Sequence, residues 1–325
     1  MTPTRTVPAF TAIEAQRVHD LIAARVAFMM GRKFEEADWA EVYTTAKGIP
    51  IQGWSNLNID VMYGGLGVEH KMVCYRSKPS VGEACGSTLM HPAATRSIRV
   101  PSLDTDPNEA MADILNQYAR LIQKRREMVQ ATSPASTADM RTGWLLWQEN
   151  LREFLYFEEP MLAPIPDDYH AVWNSRPGNG NRKGSTNLWI YEKATGRKRY
   201  SVTTVAGAKI QPYFDVPTPD DPNLYIFTVQ GELVSPRQVR VWVGQDTARE
   251  LQRLLGDLEE TTLTKAVLDL ASNIGDGPAP EYADTFPAIS ITIDTDAYLA
   301  LHTIFPKCVS DHHLVQSLVR CIASR

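Results

Sequence analysis

The apolar positions in the first half of the chain follow two periods in turn. Ile13, Val18, Leu21, Ile22, Val26 and Met29 recur every three or four residues, with Arg17, Asp20 and Arg25 on other faces. Residues 11–30 are therefore expected to form an amphipathic helix. Residues 34–45 continue as a second short helix, punctuated by Gly48 and Pro50. From residue 51 to 75 the period falls to two. Ile59, Val61 and Tyr63 alternate with Asp60 and Met62, and Gly64-Gly65 marks a tight turn before a second extended run. Residues 76–108 read as loop. Met111, Ile114, Leu115, Tyr118, Leu121, Ile122 and Met128 then form one stripe, which predicts a helix over 108–129 with Asp106 or Asn108 as its cap and Pro107 near its start. Residues 131–138 are a loop. Trp144, Leu145, Leu151, Phe154 and Leu155 suggest another helix over about 139–157.

The pattern changes near residue 165. Short β-like runs are expected at 188–191, 200–204, 224–230 and 239–243, and helices near 247–258 and 261–271. A loop or linker at 275–280, a strand at 289–293 and two short helices complete the chain. The elements predict a mixed α/β (α+β) class. Residues 1–165 would form one unit and 166–325 a β-rich then helical region, unless the two are a single domain.

The hairpin at 58–72 carries the chemistry. With a two-residue turn at Gly64-Gly65, Tyr63 faces Leu66 and Asp60 falls opposite Glu69, with Lys71 one step further on the same side. A four-residue turn would set Lys71 opposite Asp60 and still leave the three charges together, whereas a three-residue turn would separate them. Ile59, Val61, Tyr63, Val68, His70 and Met72 make the other face, which suits packing against a helix. Two carboxylates directly opposite repel one another. A divalent cation between them would remove that conflict, and hard oxygen ligands suit Mg²⁺.

Composition narrows the classes. The chain has 325 residues, 43% hydrophobic and 22% charged, enough for a sizeable core and unlike a disordered sequence. No apolar run approaches the ~18 residues of a membrane-spanning helix, and residues 1–10 lack the apolar stretch of a secretory signal. Four cysteines without a CxxC pair make a disulfide framework unexpected, so a reducing, cytoplasmic setting is the expectation. The net charge of −5 disfavours indiscriminate coating of nucleic acid. One segment breaks that balance. Residues 176–199 contain seven basic residues and one acidic residue, Glu192. A loop of this kind suits a phosphate backbone or a groove, although a solvated hairpin surface explains it equally well.

Asp60 with Glu69-His70-Lys71, set between a preceding helix and a following one, resembles the PD-(D/E)XK nuclease superfamily, the fold of type II restriction endonucleases. The resemblance covers about residues 10–160. It implies a mixed central sheet flanked by helices, with Mg²⁺-dependent hydrolysis of phosphodiester bonds in double-stranded DNA at a specific sequence, often by a homodimer. Mn²⁺ can substitute. Asp60 and Glu69 would hold the metal, Lys71 would position the attacking water, and Glu14 would be an accessory acid from the N-terminal helix. Ile59 stands where the family name has Pro. The DNA-contact candidates are Arg76, Lys78, Arg176, Asn179, Asn181, Arg182, Lys183, Arg197, Lys198 and Arg199.

Plainer readings stand beside these. The hairpin charges could be an ordinary Glu–Lys surface pair, because an acid two residues before a lysine is common. Arg120, Lys124, Arg125 and Arg126 read as a solvated helix face. Cys308, His312 and His313 match no common zinc spacing. Trp54, Trp144, Trp147 and Trp173 read as core. The competing functions are a repair, recombination or junction-resolving nuclease, and a non-catalytic DNA-binding or scaffold protein.

Overall fold

The computed structural model describes residues 6–29, 32–50, 59–76, 79–178, 184–204, 207–272 and 288–324. Helices α1 (Ala12–Ala27) and α2 (Glu36–Lys47) come first. Thr11 and Glu14 form a capping box at the start of α1, and Gly48 ends α2 in the left-handed conformation. Strands β1 (Val61–Tyr63) and β2 (Leu66–Cys74) follow, then β3 (Thr88–Met90), helix α3 (Pro107–Thr132), and strands β4 (Asp139–Trp147) and β5 (Glu153–Pro160). The Asp106 side chain accepts hydrogen bonds from the Asn108 and Glu109 amides, so α3 begins where its cap and Pro107 dictate.

Strands β6 (Tyr169–Arg176), β7 (Ser185–Glu192), β8 (Lys198–Thr203) and β9 (Lys209–Asp215) form a meander. Next come β10 (Tyr225–Thr228), β11 (Glu232–Ser235), β12 (Gln238–Gly244), α4 (Gln245–Leu255), α5 (Glu260–Ala271), β13 (Ala288–Asp294), α6 (Thr295–Ile304) and α7 (Asp311–Ala323). The expected α+β class is what the structure shows. Its strands lie in three sheets, ordered β1-β2-β4-β5-β10, β3-β9-β8-β7-β6 and β11-β12-β13. Among the described residues only the first is mixed: β2 and β4 are parallel, joined by a connection that includes α3, and every other pairing is antiparallel. Strands from either side of residue 165 share the first two sheets, since β10 pairs with β5 and β3 pairs with β9.

The helix expected over 139–157 is not there; β4 and β5 occupy it as a hairpin. Trp144, Leu145, Leu146 and Trp147 are all buried because the first sheet is covered on both faces. A strand buried on both faces shows a continuous apolar run, which periodicity cannot tell from a buried helix. The turn signal was Gln148-Glu149-Asn150, after which Leu151 adopts a positive φ. The expected loop at 76–108 contains β3, too short to show a period. Residues 51–58 of the expected strand, with Trp54, and the expected loop at 275–280 lie outside the described residues.

Helices α1 and α2 cover one face of the first sheet. Their core joins Val18, Ile22, Trp39 and Tyr43 to Val68, Leu145, Phe154 and Tyr156. Helix α3 covers part of the other face through Ile122 and Val129, which pack on Ile59, Met140 and Met161. A bend at Asp60 therefore turns Ile59 away from Val61, correcting the expectation that both share one face, and Tyr63 is exposed rather than core-facing. No helix among the described residues is long and apolar enough to cross a membrane.

Candidate active site

The β1–β2 hairpin has the two-residue turn: Tyr63 pairs with Leu66, Met62 with Gly67 and Val61 with Val68. The ladder ends at Val61. Beyond it the Asp60 carboxylate accepts a hydrogen bond from the His70 amide at 2.6 Å, taking the place of a backbone partner.

The far face of β2 fixes the near one. His70 is buried, accepts from Trp39 Nε1 at 3.2 Å and lies 3.4 Å from the Tyr156 hydroxyl. Burial and, secondarily, the charge of Lys71 push its pKa down to about 3, so the ring is neutral, with the proton on Nε2. Below it, Tyr43 and Tyr156 both donate to Glu158 Oε1 at 2.8 Å, and Arg141 Nη1 lies 2.9 Å from Oε2. Gly143 is opposite His70 on β4, where a Cβ would strike both the Tyr156 hydroxyl and His70 Nδ1. With His70 held toward α2, alternation sends Glu69 and Lys71 to the opposite face.

There they line a cleft of about 490 Å³ between the first and second sheets, with Arg125, Glu159, Arg199 and Asp215 among its walls. Lys71 Nζ lies 2.6 Å from Glu69 Oε1, and Arg125 Nη2 approaches the same oxygen at 3.2 Å. Glu69 Oε2 is buried without a hydrogen-bond partner. Asp60 is not among the lining residues and is exposed as a whole residue, yet its carboxyl is crowded. Burial first, then the neighbouring charges of Glu69 and Glu36, push its pKa up to about 7.

These observations fit a hard divalent cation. An orphaned carboxylate oxygen and a second carboxyl that resists ionising beside it are what such an ion would satisfy. No group of three or more His, Cys, Asp or Glu side chains able to hold a metal ion occurs among the described residues. Two carboxylates are still consistent with Mg²⁺, which ordinarily keeps several waters and substrate oxygens.

Two expectations about site residues change. Glu14 is spent on the capping box of α1 and on Lys47 at 3.7 Å, on the α1–α2 side of the sheet. The acid from the N-terminal helices that acts on Asp60 is instead Glu36, at the start of α2. Arg125 is not on a solvated face. It falls between Ile122 and Val129 on the buried stripe of α3, a position the helical period could have disclosed, while Arg120 and Lys124 are exposed as expected and Arg126 is half-buried.

The basic segment is dispersed. Arg199 lines the cleft but is paired with Asp215 at 2.8 Å and Glu192 at 3.3 Å; Arg197 also reaches Asp215, at 3.2 Å. Lys198 sits 4.1 Å from the Trp189 ring and 4.7 Å from that of Tyr213. Arg176 is exposed at the end of β6, and Arg76 pairs with Glu149 at 3.1 Å on the surface. Lys78, Asn179, Asn181, Arg182 and Lys183 lie outside the described residues. His312 is buried and accepts from the Gly244 amide at 3.1 Å, and Cys308 Sγ lies 3.4 Å from Ser317 Oγ, so both are accounted for structurally. None of the family models, curated proteins or solved structures compared with the chain matches it.

Proposed function

We propose that the protein is a Mg²⁺-dependent DNA endonuclease that hydrolyses phosphodiester bonds in double-stranded DNA at a specific sequence, in the manner of a type II restriction enzyme. One observation carries this reading: Glu69 and Lys71 pair at the wall of a cleft, while across the tight hairpin the Asp60 carboxylate accepts from the His70 amide and the Glu69 charge opposes its ionisation. Bound Mg²⁺ supplies charge neutralisation at the scissile phosphate and lowers the pKa of the attacking water. Asp60 and Glu69 would hold that charge in place. Lys71, with its ammonium fixed by Glu69, orients the water and stabilises negative charge as it develops. Arg199 is the described basic residue of the 176–199 segment that borders the same cleft, so DNA would enter along the second sheet. A homodimer would present two such clefts to the two strands of a palindromic site.

The test is cleavage of supercoiled and linear plasmid across a Mg²⁺ titration. Discrete fragments from plain duplex are expected, whereas a preference for branched or damaged DNA would indicate a repair role. Asp60→Ala and Lys71→Ala should each lower cleavage by at least about 10²-fold, the usual scale for a positioned catalytic group, while duplex binding persists. Full cleavage by Lys71→Ala would remove that residue from the mechanism. Absence of cleavage with both Mg²⁺ and Mn²⁺ on every DNA form, together with no metal binding, would favour a non-catalytic DNA-binding or scaffold protein.

A further inference from the structure

Two cationic side chains share one oxygen of Glu69. Lys71 Nζ and Arg125 Nη2 both approach Oε1, at 2.6 and 3.2 Å, and all three side chains are at least 85% withdrawn from solvent. The pairing is incomplete. A guanidinium can grip both oxygens of a carboxylate at once, yet Glu69 Oε2 and Arg125 Nε are both buried without hydrogen-bond partners. Arg125 is thus held to Glu69 by a single charge-assisted hydrogen bond from Nη2, with donor and acceptor capacity left over on each side.

The backbone beneath Arg125 is anchored by packing. Ile122 and Val129, one turn to either side on α3, are fully packed against the first sheet, at 2% and 0% exposure. Any change of partner must come from the side chain, whose several rotatable bonds permit it. Tyr118, a further turn back, lines the same cleft, so the guanidinium already faces the space a substrate would enter.

Glu69 cannot serve two masters equally. Once it ligates a divalent cation its negative charge is largely neutralised, and the attraction that holds Arg125 is weakened or reversed. A phosphate in the cleft would then be the strongest available anion, and guanidinium–phosphate pairing is geometrically favoured. We infer that Arg125, beside Lys71, forms a latent phosphate-binding site, masked by Glu69 in the cation-free protein and released to the DNA backbone when a divalent cation occupies Glu69. This rests on the nuclease reading and adds to it a coupling: cation and phosphodiester bind cooperatively, because each relieves the cost the other creates.

The coupling has opposite signs in its two halves, which a mere structural brace would not show. Without DNA, Arg125 competes with the cation for Glu69. With DNA, it supports the complex. The test uses the full-length protein with Ca²⁺, as a cation of the same ligand preference, and short labelled duplexes of random sequence. Ca²⁺ affinity is measured by calorimetry without DNA, and duplex affinity by fluorescence anisotropy in EDTA and in Ca²⁺. In Arg125→Ala, Ca²⁺ should bind about tenfold tighter than in the wild type, and the gain in duplex affinity that Ca²⁺ brings should shrink about tenfold, within the ordinary range for coupled sites. Arg125→Lys, which keeps the charge, should recover part of both effects. If Arg125→Ala does not fold, as read by circular dichroism, Arg125→Met preserves the packed stem and serves for the same measurements. Unchanged or weaker Ca²⁺ binding in a folded variant, or an undiminished Ca²⁺-driven gain, overturns the inference while plasmid cleavage by the wild type leaves the nuclease reading standing. A wild type that neither binds Ca²⁺ nor cleaves DNA overturns both.

Discussion

The Asp60 carboxyl is caught between burial and the negative charges of Glu69 and Glu36, and its pKa rises to about 7 from an ordinary 3.8. A cation at this position must displace a proton below that pH. Cation affinity should therefore weaken by about tenfold per pH unit on the acid side of 7 and level off above it. Calorimetric titration with Mg²⁺ or Ca²⁺ at several pH values measures this directly, and a flat profile across pH 7 would remove Asp60 from the ligand set. The adjacent His70 does not complicate the profile, because its pKa is lowered to about 3. At this scale much was legible in the residues themselves. Glu69 and Lys71 can be read as one pair because a two-residue turn and strand alternation are local properties, whereas the bend at Asp60 breaks the alternation before the hairpin begins. Glu36 could not be so read, since its approach to Asp60 depends on where α2 is docked.

At the scale of elements, β4 is the strand that the first sheet depends on. It pairs in parallel with β2 and antiparallel with β5, so its register transmits the position of the β1–β2 hairpin to the rest of the sheet. Gly143 is the weak point, admitting His70 from one side and the Tyr156 hydroxyl from the other. Gly143→Ala should destabilise the protein by about 1–3 kcal/mol, the range for overpacking a rigid core, and should reduce cleavage more than the lost stability explains, by displacing β2. Thermal or urea unfolding together with activity in the fully folded protein checks both parts. A stable variant with normal cleavage would show that the site tolerates the shift. The same strand was misread from its sequence as helix. Trp144 to Trp147 carry no polar alternation because both faces of β4 are covered, so the feature that makes the strand important is also what concealed it.

Across the whole molecule, polar links add to the packing of α1 against β12, β13 and α7. Asp311, at the start of α7, accepts from the Gly231 amide at 2.7 Å and from the Tyr298 hydroxyl at 2.8 Å, while its own amide donates to Gln230. It thus joins the third sheet and its helices to the chain just beyond β10, the edge of the first sheet. Burial raises its pKa to about 6. A carboxyl whose folded-state pKa is raised favours folding below pH 4, and that contribution is lost as pH rises through about 6. Asp311→Asn cannot titrate, so its stability relative to the wild type should improve by up to about 3 kcal/mol between pH 4 and 7. Denaturation at matched pH values tests this, and a constant difference would rule Asp311 out as the source. Similar long-range placement decided the rest of the architecture. By itself the sequence determined α1, α2, α3, the β1–β2 turn and the shared face of Glu69 and Lys71, because caps, glycine turns and hydrophobic periods act between near neighbours. Only the tertiary structure decided that 139–160 is a strand pair, that β10 completes the first sheet, and that Arg125 meets Glu69 across 56 residues of chain. Those outcomes depend on which surfaces bury one another, and no short-range pattern encodes that choice.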